Sequence, residues 1–292
     1  MIIVKLIGGL GNQMFQYALG RRMAYVLGVK LKLDIFGFTN YKLHNYGLWA
    51  FKIQENFASQ EEIMALTVRK QGIIPRVIRR ISHKLLKVAP TYIWEKKPFH
   101  FDLDILDLPD GVYLEGYWQS EKYFADTEAI IRQEFTVKIP QAGINKELAK
   151  QITSCESVSL HIRRGDYVSN LRTNQIHGTC DQDYFVRCVN CLTQKVKNPY
   201  FFIFSDDPEW AHNNLKLSYP TTIVDHNKAD KNYEDLRLMS QCKHHIISNS
   251  TFSWWGAWLS QNPEKIVFAP KRWMKSDVYD PKDLIPDKWI KV

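Results

Sequence analysis

The chain has 292 residues, 45% of them hydrophobic and 24% charged, which excludes intrinsic disorder, a collagen repeat and a disulfide-stapled miniprotein and leaves room for two ordinary domains. Thirty-nine Lys and Arg against 31 Asp and Glu give a net charge of +8, which favours an anionic ligand or surface without choosing among nucleotide phosphate, nucleic acid and acidic lipid. Five cysteines without a scaffold spacing, no leader-type start and no apolar run near the ~20 residues that span a bilayer read as a reducing, cytoplasmic setting.

Ile2–Ile7 is an apolar run that predicts a buried strand, followed by the tight turn Gly8-Gly9-Leu10-Gly11-Asn12. Phe15, Leu19, Met23 and Val26 recur at helical spacing to about Leu27, and Lys30–Asp34 predicts the next strand. Gly9 and Gly11, with Asp34 about 20 residues later, imitate a dinucleotide fingerprint, but Met14 stands at the third glycine position. A turn that sets Asn12 and Gln13 at the mouth of a cleft explains the glycines as well, so a dinucleotide-dependent oxidoreductase stays open as an alternative.

From Ile63 to Trp94 there is no acidic residue, while Arg69, Lys70, Arg76, Arg79, Arg80, Lys84 and Lys87 are basic. Ile74, Val77, Ile78, Ile81 and Leu85 make this a predicted basic amphipathic helix. It suits the surface of an anionic membrane or packing on its own domain equally. A strand at Val112–Glu115 leads into Tyr117-Trp118-Gln119, and a helix is expected over Glu121–Glu134. Val137–Gly143 reads as the boundary between a domain of residues 1–140 and one of residues 141–292.

The second half alternates. Strands fit Ser157–Ile162, Tyr200–Ser205, Thr221–Val224, His245–Ser248 and Lys265–Ala269, with helical patterns at about 183–196, 207–215, 232–243 and 253–261. That order implies a parallel, doubly wound α/β sheet whose ligands sit at the carboxyl ends of the strands. The residues just past each strand are therefore the candidates: His161–Asp166, Ser205-Asp206-Asp207, Asp225-His226 and Asn249–Ser253.

Two of these segments carry chemistry. His161-Ile162-Arg163-Arg164-Gly165-Asp166-Tyr167 follows a strand with two adjacent arginines, a poor choice for a core and a good one for a diphosphate, since a guanidinium donates in pairs and keeps its charge. Gly165 would relax the turn for a close backbone approach to the ligand, and Arg163 would be an exposed strand-end side chain. Ser248-Asn249-Ser250-Thr251-Phe252-Ser253 ends another strand where a helix should begin. Free N–H groups and the helix dipole there favour an anion, although plain N-capping uses the same residue types.

Asp102/Asp104 and Asp181/Asp183 could suggest a divalent cation, but neither pair follows a strand of the sheet, and Asp181 reads as the N-cap before Tyr184. His177, Cys180, Cys188 and Cys191 lack the second paired spacing of a zinc site, and buried thiols on a helix face account for them better.

Ile7–Tyr17, Gly116–Ser120, His161–Tyr167, Ser205-Asp206-Asp207 and Asn249–Gly256, in this order over most of the chain, resemble the α-1,2-fucosyltransferases of glycosyltransferase family 11. The resemblance implies a GT-B-like enzyme of two facing Rossmann-like domains, with the acceptor on the first and GDP-fucose on the second. It implies inverting, metal-independent transfer to the 2-hydroxyl of a terminal galactose on an oligosaccharide or lipid-linked glycan, without nucleic acid. Arg163 would contact the donor diphosphate, with His161, Arg164, Asp206, Asn249, Ser250, Thr251, Phe252 and Ser253 around it. Asp166 is the first candidate for a general base, against the alternative that it pairs with a neighbour and braces the loop; Asn12, Glu115 and His161 are the others, and Asn12 joins Arg163 and Asp166 as a catalytic expectation. The resemblance is to bacterial members, and the expected location of this chain is the cytoplasm, with peripheral contact at the inner face of the cytoplasmic membrane through the basic segment. A non-catalytic glycan- or nucleic-acid-binding module is the reading from outside enzymology.

Overall fold

The computed structural model of the chain describes residues 1–39, 43–68 and 91–292; the expected basic helix at 69–87 lies outside them. The chain packs as two compact units, Met1–Trp49 with Ile53–Phe135, and Ala50–Lys52 with Thr136–Val292. The short stretch at 50–52 belongs with the second unit because Lys52 donates its N–H to Thr136 O and Lys138 donates to Ala50 O.

In the first unit β1 (Ile2–Lys5) runs into α1 (Leu10–Leu27), then β2 (Leu31–Asp34), α2 (Gln60–Thr67), β3 (Tyr92–Trp94), β4 (Val112–Glu115) and α3 (Glu128–Glu134). The sheet order is β2-β1-β4-β3 and every pairing is parallel. Buried Met14, Phe15, Tyr17, Ala18 and Leu19 show that α1 lies inside the unit. The helix expected over Glu121–Glu134 is broken: short 3₁₀ turns occupy Glu121–Tyr123 and Ala125–Thr127 before α3 begins. Phe124 adopts φ −139, ψ 17, which lets Tyr123 meet Trp118 edge-on at 5.9 Å and Phe124 meet Phe15 at 6.2 Å. Burying two successive aromatics outweighs helix continuity there.

The second unit continues with α4 (Gly143–Ser154), β5 (Glu156–Ile162), α5 (Gly165–Ser169), α6 (Leu171–His177), α7 (Gln182–Thr193), β6 (Pro199–Ser205), α8 (Pro208–Asn214), β7 (Thr221–Val224), α9 (Asn232–Gln241), β8 (His244–Ile246), α10 (Thr251–Leu259), β9 (Val267–Ala269) and β10 (Ile290–Lys291). Its six strands lie in the order β10-β9-β8-β5-β6-β7, all parallel. The five strands expected from periodicity are present within one or two residues; α4, α5, α6 and the edge strand β10 are additions. Central β6 is a near-continuous apolar run because both its faces are covered, while the equally buried β5 alternates Val158, Leu160 and Ile162 with Ser157, Ser159 and His161. Val158, Leu160 and Ile162 pack with Phe201, Ile203 and the α7 residues Phe185, Cys188 and Leu192.

Candidate active site

The turn after β5 is built by carboxylates from the turn after β6. Arg163 Nη2 donates to Asp166 Oδ1 at 2.5 Å and Nη1 lies 2.9 Å from Asp206 Oδ2. The guanidinium also sits over the Tyr167 ring, 5.3 Å from its centroid. Its side chain is 26% exposed, so the expected exposed arginine is instead half-buried, because two carboxylates and an aromatic face replace water around it. Burial opposes its charge, but Asp206 and Asp166 outweigh burial and raise its pKa above the ordinary value. Arg164 acts on the turn itself. Its N–H donates to Asp206 Oδ1 at 2.8 Å, its Nε donates to Asp207 Oδ2 at 3.1 Å, and its guanidinium stacks on Trp210 at 4.4 Å.

Gly165 is required by a close approach of protein rather than by an unusual backbone angle. A Cβ there would meet Asp206 Oδ2 at 2.5 Å, so only glycine lets that carboxylate lie against the turn. Asp166, the candidate base, has Oδ1 committed to Arg163, which is the bracing alternative seen directly. Asp207 also caps α8 by accepting from Trp210 N–H at 3.1 Å.

The neighbouring strand β8 supplies the other half. His161 is 5% exposed, its Nδ1 is 2.9 Å from Ser248 Oγ, and its ring packs on Phe252 at 5.6 Å. Burial, helped by the Arg163 charge, pushes its pKa down to about 3, so the ring is neutral and ties the ends of β5 and β8 together. Asn249 donates from Nδ2 to the carbonyls of His177 (3.0 Å), Gly178 (3.2 Å) and Trp273 (3.1 Å), while its Oδ1 accepts from Cys180 at 3.7 Å. Its side chain is therefore a brace, and what it offers the site is the position of the backbone at the start of α10. Tyr167 joins the two halves, donating to Asn249 O at 3.4 Å and stacking on His177 at 4.8 Å. Burial raises the Tyr167 pKa to about 12, so it stays a neutral donor.

α10 begins at Thr251 with Ser250 extended at the N-cap and making no side-chain cap. The first intrahelical bond is Trp254 N–H to Ser250 O at 3.0 Å. Phe252 and Ser253 thus lie in the opening turn, where helical N–H groups precede the ladder and the dipole is positive. The helix is anchored by tryptophans: Trp254 donates to Leu284 O at 2.9 Å and stacks parallel to Trp258 at 6.1 Å, with Trp255 edge-on at 5.0 Å. These aromatics are core, not a sugar platform.

Asn12 belongs to the first unit, in the first turn of α1, where its Oδ1 accepts from Gln119 Nε2 at 2.8 Å. Glu115 is held by Lys5 at 2.7 Å and Tyr92 at 2.7 Å. Asp34, the residue a dinucleotide ribose would need, is 6% exposed and already accepts from Tyr113 Oη at 2.6 Å and Phe36 N–H at 3.0 Å. Asp181 caps α7 as expected, accepting from Tyr184 N–H at 2.7 Å, and Asp102 caps a short 3₁₀ turn. Cys188 is buried but Cys191 on the same helix is exposed, which corrects the expectation that both thiols are buried. Among the described residues no three His, Cys, Asp or Glu side chains converge as metal ligands. Tyr167, Asp207 and Trp210 stand in or beside the sequence motifs, but no spacing assigns them a role; only their partners across the sheet reveal one.

Two α/β units on parallel sheets, with an arginine turn and a helix N-terminus side by side at the carboxyl edge of the second, define a GT-B-like protein. The chain belongs to glycosyl transferase family 11, whose model matches residues 1–292. It is 35% identical over 303 residues to an α-1,2-colitosyltransferase of Escherichia coli, covering 100% of this chain and 99% of that one. A galactoside 2-α-L-fucosyltransferase, SEC1, of Bos taurus is 28% identical over 158 residues, 51% of this chain and 42% of the relative. A crystal structure of the α-1,6-fucosyltransferase NodZ soaked with GDP-fucose shares the fold, with a TM-score of 0.54 at 14% identity, covering 91% of this chain and 94% of that one.

Proposed function

We propose that this chain is an inverting, metal-independent galactoside 2-α-L-fucosyltransferase that uses GDP-fucose and a galactose-terminated oligosaccharide or lipid-linked glycan. The observation that carries the donor half is the junction of the Arg163 guanidinium, held by Asp166 and Asp206, with the start of α10 through Tyr167 and Asn249. Breaking the bond between fucose and GDP leaves an oxocarbenium-like sugar and a diphosphate of growing negative charge. Arg163 and the N–H groups around Thr251–Ser253 stabilise that charge, and because the carboxylates already fix the guanidinium, little reorganisation is needed as it develops. Arg164 sets the turn, His161 ties the strands, and Asp206 orients both arginines. Asp166 serves mainly to hold Arg163. The 2-linkage is supported by the α-1,2 specificity in the relatives' names.

The 35% identity to a colitosyltransferase favours one second reading, a donor carrying colitose, the 3-deoxy counterpart of fucose, on the same nucleotide. Peripheral contact of the chain with anionic membrane rests on the basic residues from Arg69 to Lys87, and binding to anionic vesicles at low salt, lost at high salt, is its check. For the main reading the experiment is incubation of the chain with GDP-fucose or GDP-colitose and a panel of β-galactosides in excess EDTA, read by mass and linkage analysis. A fucosylated product linked at the galactose 2-position is expected. A strict Mn²⁺ requirement, or transfer from no GDP-sugar, overturns it.

A further inference from the structure

The N-terminal sheet has its own ligand edge. Its four strands, in the order β2-β1-β4-β3, are all parallel, and ligands of parallel sheets settle at the carboxyl ends of the strands. The two turns that leave those ends are stitched together. Gln16 accepts from Ile7 N–H at 3.0 Å and donates to Gly116 O at 3.0 Å, and Gln119 donates to Asn12. Asn12 is half-buried, and its Nδ2 lies where a Cβ on Gly8 (φ +76) would fall, 2.5 Å away. Its amide is thereby held at the oxygen by Gln119, with the nitrogen lying close over Gly8.

Glu95, just past β3, clamps the second turn. Its Oε2 accepts from Tyr117 N–H at 2.7 Å and its Oε1 from Trp118 N–H at 3.1 Å. A Cβ on Gly116 would overlap Glu95 Cβ, so the carboxylate side chain lies directly against the backbone it holds. The turn stores cost: Trp118 sits at φ +54, is 1% exposed, and its indole N–H meets no hydrogen-bond partner among the described residues. A bulky residue in the left-handed region and an unmet buried donor persist only where the surroundings demand them. The result is a buried Gln119 against Asn12 and a Tyr117 ring left 38% exposed.

We propose that Glu95 is a positioning residue for acceptor recognition, clamping the Tyr117–Trp118 turn so that Gln119 orients the Asn12 amide beside the Tyr117 ring as a subsite for a neutral sugar. This rests on the fucosyl-transfer reading. A sugar offers neighbouring hydroxyls that each donate and accept, and a C–H face; a fixed amide and an aromatic ring match both. A nucleotide diphosphate would call for cations, and residues 8–13 and 116–120 contain none.

The test compares the unaltered chain with Glu95→Gln, which sets an amide NH₂ against one of the two N–H groups, and with Gln119→Leu, which leaves the Glu95 clamp untouched. Acceptor kinetics at saturating GDP-fucose, donor hydrolysis without acceptor and the thermal shift by GDP are measured on each. Glu95→Gln should lose about 10- to 100-fold in kcat/KM for the acceptor, as expected for one charge-assisted hydrogen bond, and Gln119→Leu about 3- to 10-fold, as for a neutral one, with hydrolysis and GDP shift within about twofold of the unaltered chain. Acceptor kinetics unchanged in both, or a parallel loss of hydrolysis and GDP shift, overturns the role. If the unaltered chain binds GDP yet transfers to no galactoside, the proposed function fails first and this inference falls with it.

Discussion

Replacing Arg163 perturbs stability and chemistry together, and the structure separates the two. Arg163→Ala leaves Asp166 and Asp206 without their shared cation, losing contacts of 2.5 and 2.9 Å. Hydrogen bonds to charged groups contribute about 1.5–3 kcal/mol when buried. With the arginine 26% exposed and the carboxylates 21% and 26% exposed, solvent screening reduces the pair to about 2–3 kcal/mol in all. For a chain of this size that is a fall in Tm of roughly 3–5 °C. Losing a donor aimed at the departing diphosphate should lower kcat about 10²- to 10³-fold. Arg163→Lys keeps the charge but not the planar fork, and one ammonium cannot serve both carboxylates and a phosphate. It should recover most of the Tm while remaining at least about tenfold slower. Thermal unfolding and steady-state transfer on the three proteins decide it. An alanine variant with unchanged Tm and near-normal turnover would refute the reasoning.

Three further outcomes follow from contacts within the second unit. Gly165→Ala forces Asp206 away from the turn, since the new Cβ would lie 2.5 Å from Oδ2; transfer should fall about tenfold or more while circular dichroism stays unchanged. Asn249→Ala strips three backbone carbonyls of their donor, costing about 2–4 kcal/mol and weakening GDP binding, both visible in a melting curve with and without GDP. Asp235, which accepts from Asn227 at 2.7 Å, has its pKa raised by burial to about 7. A carboxyl that binds its proton more tightly when folded loses stability as pH rises from about 4 to about 7. Asp235→Asn should therefore be the more stable protein at pH 8, by at most about 4 kcal/mol, and its advantage in Tm should shrink toward pH 5. Histidines buried neutral, such as His161, act in the opposite sense below pH 6.5, but they cancel in this comparison. Equal Tm differences at pH 5 and pH 8 would remove Asp235 as the cause.

The sequence reports local pattern well and partnership badly. The strand runs of the second half and the polar start of α10 were legible because both faces of the sheet are covered and because a helix N-terminus selects small polar residues. Helix α6 was missed although Asn170 caps it and Gly178 (φ +63) closes it, since seven residues carry too little periodicity. Roles that depend on distant segments were invisible. Gly165 looked like room for a close approach of ligand and is a seat for Asp206, 41 positions away; Asn249 looked like a ligand contact and braces three carbonyls. The clamp of Glu95 on Tyr117 and Trp118 joins strands whose pairing no spacing encodes.

Hydrogen–deuterium exchange with and without GDP addresses the donor site most directly. GDP should slow exchange in peptides covering His161–Tyr167 and Ser248–Ser253, much more than ADP does, and the effect should be lost in Arg163→Ala. Protection confined to other segments, or none at GDP concentrations that stabilise the protein, would contradict a nucleotide held by that arginine and that helix start.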